Sequence, residues 1–386
     1  MIRALFRQAT SRPIRSQERA PQIRRRDAAM DVPLLAIVLI LTATGMVMMY
    51  SASAHWAQQN HGDALFFVKR QLVWLFIGLP AMLAISKVNY NRWGEWAWLG
   101  VAVSVIGLIG ALLSPPIAGV RRWIRFGSVG LQPAEFAKLA MLVFLADYLD
   151  RKRSKVDSPL HGAAVPWSVL GLLLGLILLE KDLGTPALMF ATAVLVLFIG
   201  GARLRYVGAA VLAALPLLAW QLYAFPYRRR RVLSFLNPFD SAQGDGYQLV
   251  QSLYAVGTGG WFGKGLGASQ LKLLHLPTPH TDFIFPVVCE ELGLAGSLCV
   301  LGLFVALLLR GIKIARAAPN LFGTLLGSGI VLWVVLQAFF NASMSVGLIP
   351  TKGVPLPFFS FGGSSLVVTL AAMGILLNLS RQARPQ

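Results

Sequence analysis

Val32-Pro-Leu-Leu-Ala-Ile-Val-Leu-Ile-Leu-Thr-Ala-Thr-Gly-Met-Val-Met-Met-Tyr-Ser-Ala-Ser53 runs without a single charge, and about 20 apolar residues are enough for a helix to cross the hydrocarbon core of a bilayer. Comparable runs recur near 68–87, 94–114, 131–149, 164–180, 185–201, 204–224, 283–309, 321–347 and 363–380. The spacing predicts an all-α, polytopic integral membrane protein of about ten transmembrane helices. Composition agrees, because the 386 residues are 56% hydrophobic and only 13% charged.

The charges orient those helices. Residues 1–30 are rich in arginine and poor in apolar clusters, which reads as a disordered basic tail that stays in the cytoplasm and fixes topology. No cleavable signal peptide is expected. An even number of crossings then returns residues 381–386 to the cytoplasm as a second tail, with the membrane domain spanning 31–380. On this assignment most of the 35 basic residues lie inside. The remainder lie outside or near outer helix ends: Lys69, Arg70, Arg121, Arg122, Arg125, Lys138, Lys181, Arg228 to Arg231, Lys264, Lys272 and Lys352.

Long outer loops escape the charge rule and basic side chains snorkel to headgroups, which accounts for Lys264 and Lys272. It accounts less well for Arg121, Arg122 and Arg125 beside Trp123 in a short loop, or for the unbroken run Arg228 to Arg231 after Tyr227. Cations crowded at helix mouths point to an anionic, lipid-borne ligand. The net charge of +19 does not imply nucleic acid, since it is dispersed among spans and no nucleic-acid motif is present. Cys289 and Cys299 fall in one predicted helix, roughly 15 Å apart along its axis, too far for a disulfide.

Only one loop, 225–281, is long enough to hold structure of its own. Tyr247, Leu249, Leu253 and Tyr254 give it an amphipathic stretch, and Trp261 and Phe262 add aromatic surface; the loop is expected to be ordered and to lie on the outer membrane surface. Its run Gly257-Thr-Gly-Gly-Trp-Phe-Gly263 lacks the spacing of a nucleotide phosphate loop.

Ionisable groups at membrane depth need a partner or a task, and four constellations qualify. In Gln132-Pro-Ala-Glu-Phe-Ala-Lys138, Glu135 and Lys138 share one helix face, and spacing alone favours a structural ion pair. In Glu180-Lys-Asp-Leu-Gly-Thr185, Asp182 and Thr185 suit the end of one helix and the cap of the next. In His280-Thr-Asp-Phe-Ile-Phe285, Asp282 is either a helix cap or a carboxylate poised beside Arg228 to Arg231. Pro350-Thr-Lys-Gly-Val-Pro-Leu-Pro-Phe-Phe-Ser-Phe-Gly-Gly-Ser-Ser365 cannot be a regular helix with Pro355 and Pro357 inside it. Irregular backbone at this depth must be buried or line a cavity, and a substrate-cavity wall carrying Lys352, Ser364 and Ser365 is the preferred reading.

These motifs, in this order and across almost the whole chain, resemble the SEDS family (shape, elongation, division, sporulation). The carriers are Arg121-Arg-Trp-Ile-Arg125, Gln132 to Lys138, Asp182-Leu-Gly-Thr185, His280 to Phe285 and Pro355 to Ser365. Pro350 to Gly353 and Trp261 to Gly267 look more like the division member, FtsW, than the rod-elongation member, RodA. The sequence departs from the family at Thr278-Pro279 and at Lys181, where proline is usual.

The resemblance implies a peptidoglycan glycosyltransferase of the cytoplasmic (inner) membrane that polymerises lipid II on the outer face during division. Its implied partners are a class B penicillin-binding protein, other divisome membrane proteins, and the undecaprenyl-pyrophosphate-linked glycan itself. It also passes the family's essential aspartate to Asp282, as general base. Arg121, Arg122, Arg228 and Arg229 are then candidates to hold the diphosphate, with a divalent cation, Mg or Mn, as the alternative. Glu135, Lys138, Asp182, Thr185, His280 and Pro357 would shape the cavity. A precursor flippase would use the same cations without making bonds, but neither an internal repeat nor paired broken helices are evident. A rod-elongation role and a scaffold that merely recruits wall enzymes are the other readings.

Overall fold

Asp31 sets where the first helix begins. Its carboxylate accepts the Leu34 amide at 2.9 Å, Pro33 stands in the first turn where its missing N–H costs nothing, and α1 runs Val32–His61. The computed structural model describes residues 30–383 except 118, 128, 245 and 271–279; residues 1–29 and 384–386 of the expected tails, with Lys272, Thr278 and Pro279, lie outside the described residues. In chain order there follow α2 (Phe66–Ile85), a short α3 (Asn91–Glu95), α4 (Ala97–Leu113), strands β1 (Ile124–Phe126) and β2 (Val129–Leu131), and α5 (Pro133–Arg151). Then come α6 (Val165–Leu179), α7 (Gly184–Ile199), α8 (Leu204–Ala224), α9 (Pro226–Leu236), α10 (Tyr247–Thr258), α11 (Ile284–Arg316), α12 (Leu321–Ser345) and α13 (Gly363–Gln382). The strands form one antiparallel hairpin with Arg125 opposite Gly130.

All ten expected segments are helical, as α1, α2, α4 to α8 and α11 to α13, and among the described residues seven of them, α1, α2, α6 with the turn before it, α8 and α11 to α13, are long and apolar enough to cross a membrane. Their burial sorts them. The most apolar windows of α12 and α13 are 83% buried, against 11% for α8 and 17% for α2, so α12 and α13 form the centre and α8 and α2 the lipid-facing rim. At one end Asp31 pairs with Arg310 at 2.8 Å, Asn378 Oδ1 accepts the Tyr90 amide at 2.9 Å, and Asn320 bonds Asn91 at 2.7 Å. The hairpin, the 180–183 turn, α9, α10 and residues 350–361 gather at the other.

Two features depart from the sequence reading. The first is α11, expected to be continuous, which breaks at Gly293 (φ 68°, ψ −169°). The second is α10, which docks on the bundle: Leu249, Val250 and Ala255 are buried and Ser252 donates to the Ser345 carbonyl at 2.6 Å. The two features meet in the glycine-rich run. Lys264 N donates to Glu290 O (2.9 Å), Gly265 N to Glu291 O (3.1 Å) and Leu294 N to Gly260 O (2.9 Å). Those glycines let backbone lie against backbone at the break. The buried carboxylates finish the clamp, Glu290 taking Lys264 Nζ at 2.8 Å and Glu291 taking Ser51 Oγ at 2.7 Å. Cys289 and Cys299 are both free on α11.

Candidate functional site

Asp282 stands in the turn that feeds α11, and it is not a cap: the N-cap position is Phe283, and no side chain makes a capping bond there. The turn is pinned from behind, since Phe361 N donates to His280 O at 2.8 Å and Ser360 Oγ donates to Thr281 O at 2.6 Å. The carboxylate is thereby left to face a cavity of about 540 Å³ that Arg122, Lys181, Asp182, Arg228, Arg231 and Lys352 also line. Burial raises the Asp282 carboxyl to about 6, Asp182 adds to the rise, and Arg122 and Arg231 oppose it. A general base works best with such a value close to working pH.

Each cation has a structural reason for its place. Arg122 reaches across from the hairpin approach and donates to the carbonyls of Glu180 (3.2 Å) and Lys181 (2.7 Å). A side chain built on Gly353 would meet Asp282 Oδ2 at 3.1 Å and Arg122 Nη1 at 4.0 Å, so acid and guanidinium face one spot. Arg228 is buried, stacked over Phe225 and bonded to Gln221. Arg231 sits over Tyr227 and reaches the Thr351 carbonyl at 3.5 Å. Burial lowers the Lys352 ammonium, which Asp182 partly restores.

Asp182 serves the fold as well as the cavity. Its oxygens accept from Gly184 N (2.9 Å), Thr185 N (3.3 Å) and Thr185 Oγ1 (2.9 Å), fixing the start of α7. Glu180, its neighbour, is buried with neither carboxyl oxygen hydrogen-bonded; burial, then Asp182, pushes it up to about 8, so it is neutral at pH 7.

A second, larger cavity of about 810 Å³ adjoins the first. Trp167, Leu174, Leu178, Ala210, Ala213 and Leu217 on α6 and α8 give it apolar walls. Lys181 and Arg228, both cations, line both spaces.

Other candidates stand elsewhere. Glu135 and Lys138 are a buried ion pair at 2.9 Å, and Lys138 also donates to Gln337 at 3.0 Å. Ser364 accepts the Gln132 amide at 3.1 Å and donates to Gly130 O at 3.3 Å, joining α13 to the hairpin. Ser365, Pro357, Thr185, Arg121 and Arg229 do not line the Asp282 cavity; Arg121 donates instead to Leu112 O at 3.2 Å. His280 packs 4.2 Å from the Phe67 ring, and burial lowers it to about 4, a neutral filler behind the acid. Sequence reasoning gave no site role to Lys181, and it did not single out Arg231 within its run. Helical phase was the available signal, because positions three apart share a face and Arg228 and Arg231 therefore turn inward together while Arg229 does not. Among the described residues no three His, Cys, Asp or Glu side chains converge as a metal-binding group.

Known proteins place the chain. The sequence pattern of the FtsW/RodA/SpoVE cell cycle proteins matches residues 32–385. Stage V sporulation protein E of Bacillus subtilis is 41% identical over 358 residues, covering 92% of this chain and 98% of that one. The probable peptidoglycan glycosyltransferase FtsW of Geobacter metallireducens is also 41% identical over 358 residues, covering 92% and 95%. Among solved structures, a chain from a peptidoglycan synthase complex that coordinates polymerization and crosslinking superposes with a TM-score of 0.77 at 31% identity, covering 92% and 98%. The rod shape determining protein RodA of Thermus thermophilus does so with 0.69 at 27%, covering 93% and 99%. With the pattern spanning every described membrane helix, the chain belongs to the FtsW/RodA/SpoVE family of multi-pass membrane proteins.

Proposed function

We propose that the protein is a peptidoglycan glycosyltransferase that polymerises lipid II, with Asp282 as general base. One observation carries the reading: a polar cavity holding the acid and an apolar cavity between α6 and α8 meet at Lys181 and Arg228. That shape suits an amphiphile whose greasy chain ends in a diphosphate joined to a sugar. The relatives named as peptidoglycan glycosyltransferases support it.

The chemistry follows from the groups present. Asp282 accepts the proton of an acceptor sugar hydroxyl as that oxygen attacks the donor's anomeric carbon. The bond from that carbon to the diphosphate oxygen breaks, and the lipid diphosphate leaves with both electrons. Arg122, Arg228 and Arg231 neutralise the charge it gains. Displacement is direct, with no covalent enzyme intermediate, so the anomeric configuration inverts. Asp282 and Asp182, the two carboxylates lining the cavity, would hold a Mg or Mn ion, which when bound would supply further positive charge to the leaving group.

The acid-bearing end is placed outside the cytoplasmic membrane and both termini inside, on the arginine bias of the sequence. A division-type role is supported by the 41% identity to an FtsW, which the 41% identity to a stage V sporulation protein E equals; labelling confined to the sidewall of growing cells would overturn it. The synthase-complex relative supports a class B penicillin-binding protein as partner. To test the activity, purified protein is incubated with lipid II in detergent and, separately, in vesicles. Glycan chains are expected; movement of lipid II across vesicles with no polymer would make it a transporter.

A further inference from the structure

The acid's turn is held by three successive carbonyls, and the third tie comes from a different helix. His280 O and Thr281 O are bound by Phe361 N and Ser360 Oγ, both in the irregular 350–361 wall. Asp282 O is bound by Asn341, on α12, at 2.7 Å. The same Nδ2 donates its second hydrogen to Val354 O at 2.8 Å. One amide nitrogen therefore fixes the spacing between the residue that carries the acid and the wall that faces it.

Asn341 is fully buried, and its Oδ1 has no hydrogen-bond partner. A buried amide left half-satisfied lowers stability, so packing alone does not explain an asparagine here. One turn earlier Gln337 makes a related tie, donating to Pro355 O at 2.9 Å while its Oε1 accepts from Lys138 and Trp333, but it does not reach the acid's residue. Asn341 is the member of this polar stripe that reaches the acid's own residue.

We propose that Asn341 is the positioning residue of the general base, setting the Asp282 carboxylate against Arg122 and the acceptor hydroxyl. The inference rests on the glycosyltransferase reading above. The geometry requires a short side chain with two hydrogens on one atom. Leucine keeps the volume and loses both bonds; serine keeps one donor with shorter reach.

The test measures polymerisation of lipid II by full-length, partner-bound protein. Asn341→Leu is expected to lower the saturated rate about 10²-fold, the scale of a roughly 1 Å misplacement, with half-saturating lipid II unchanged. The acid limb of its pH–rate profile should also move, because the carboxylate shifts relative to Asp182 and Arg122. Asn341→Ser is expected to give an intermediate rate, which covers the case in which the leucine variant fails to fold. A folded Asn341→Ser with wild-type saturated rate and pH profile overturns the inference. So does a loss that appears wholly as weaker half-saturation. The underlying reading fails separately, if Asp282→Ala polymerises like wild type.

Discussion

As the proposed base, Asp282 can act only where its carboxyl is ionised. Burial raises its pKa to about 6, so the charged form dominates above that value and the polymerisation rate should fall as pH drops through it; a rate flat from pH 7.5 to 5 contradicts the assignment. Gly353 is a second handle on the same atom. An added methyl would sit 3.1 Å from Asp282 Oδ2, tight enough to displace it, so Gly353→Ala should lower the saturated rate at least several-fold while the thermal midpoint barely moves. Lys181 separates strain from binding. It holds φ of +62°, which costs a non-glycine residue about 1 kcal/mol, so Lys181→Gly should raise the thermal midpoint yet raise half-saturating lipid II because a shared cation is gone. At this scale the sequence revealed chemistry better than direction: Asp282 and Arg122 were legible as charges at a helix mouth, whereas Arg121, Arg229 and Ser364 face elsewhere because direction depends on backbone phase.

The helices were the most legible elements, because a bilayer imposes one length on every span and each apolar run could be measured against it. The break in α11 left no such mark: one glycine within an apolar run changes neither length nor mean hydropathy. Gly293 adopts φ 68° and ψ −169°, a region open essentially to glycine alone, and occupying it costs other residues of order 1–3 kcal/mol. A methyl there would also lie 2.3 Å from Gly263 N. Gly293→Ala should therefore release the 259–267 run from Glu290 and Glu291 and make it sensitive to protease; an unchanged cleavage pattern would mean that the break does not hold the loop. The clamp was equally hidden in sequence, since Ser51 and Glu291 are 240 positions apart.

The whole molecule is a bundle with α12 and α13 buried at its centre, one end hollowed by the acid's cavity and an apolar cavity running from it along the length of α6 and α8. Its orientation rests on the arginine bias. In a Cys299→Ser background, Phe262→Cys, an exposed position at the acid-bearing end, should react in intact cells with a thiol reagent that cannot cross the membrane; reaction only after permeabilisation would invert the topology. Resemblance carried the activity, and the two cavities give it a physical basis that residue spacing could not supply. Asp282 is proposed to remove the acceptor's proton. The direct measurement is the initial rate of lipid II polymerisation by purified wild type and Asp282→Asn, which keeps shape and loses basicity. A general base contributes about 10²–10⁴-fold, so a loss of at least that order is predicted with the fold intact, whereas a rate within a few-fold of wild type would contradict the account.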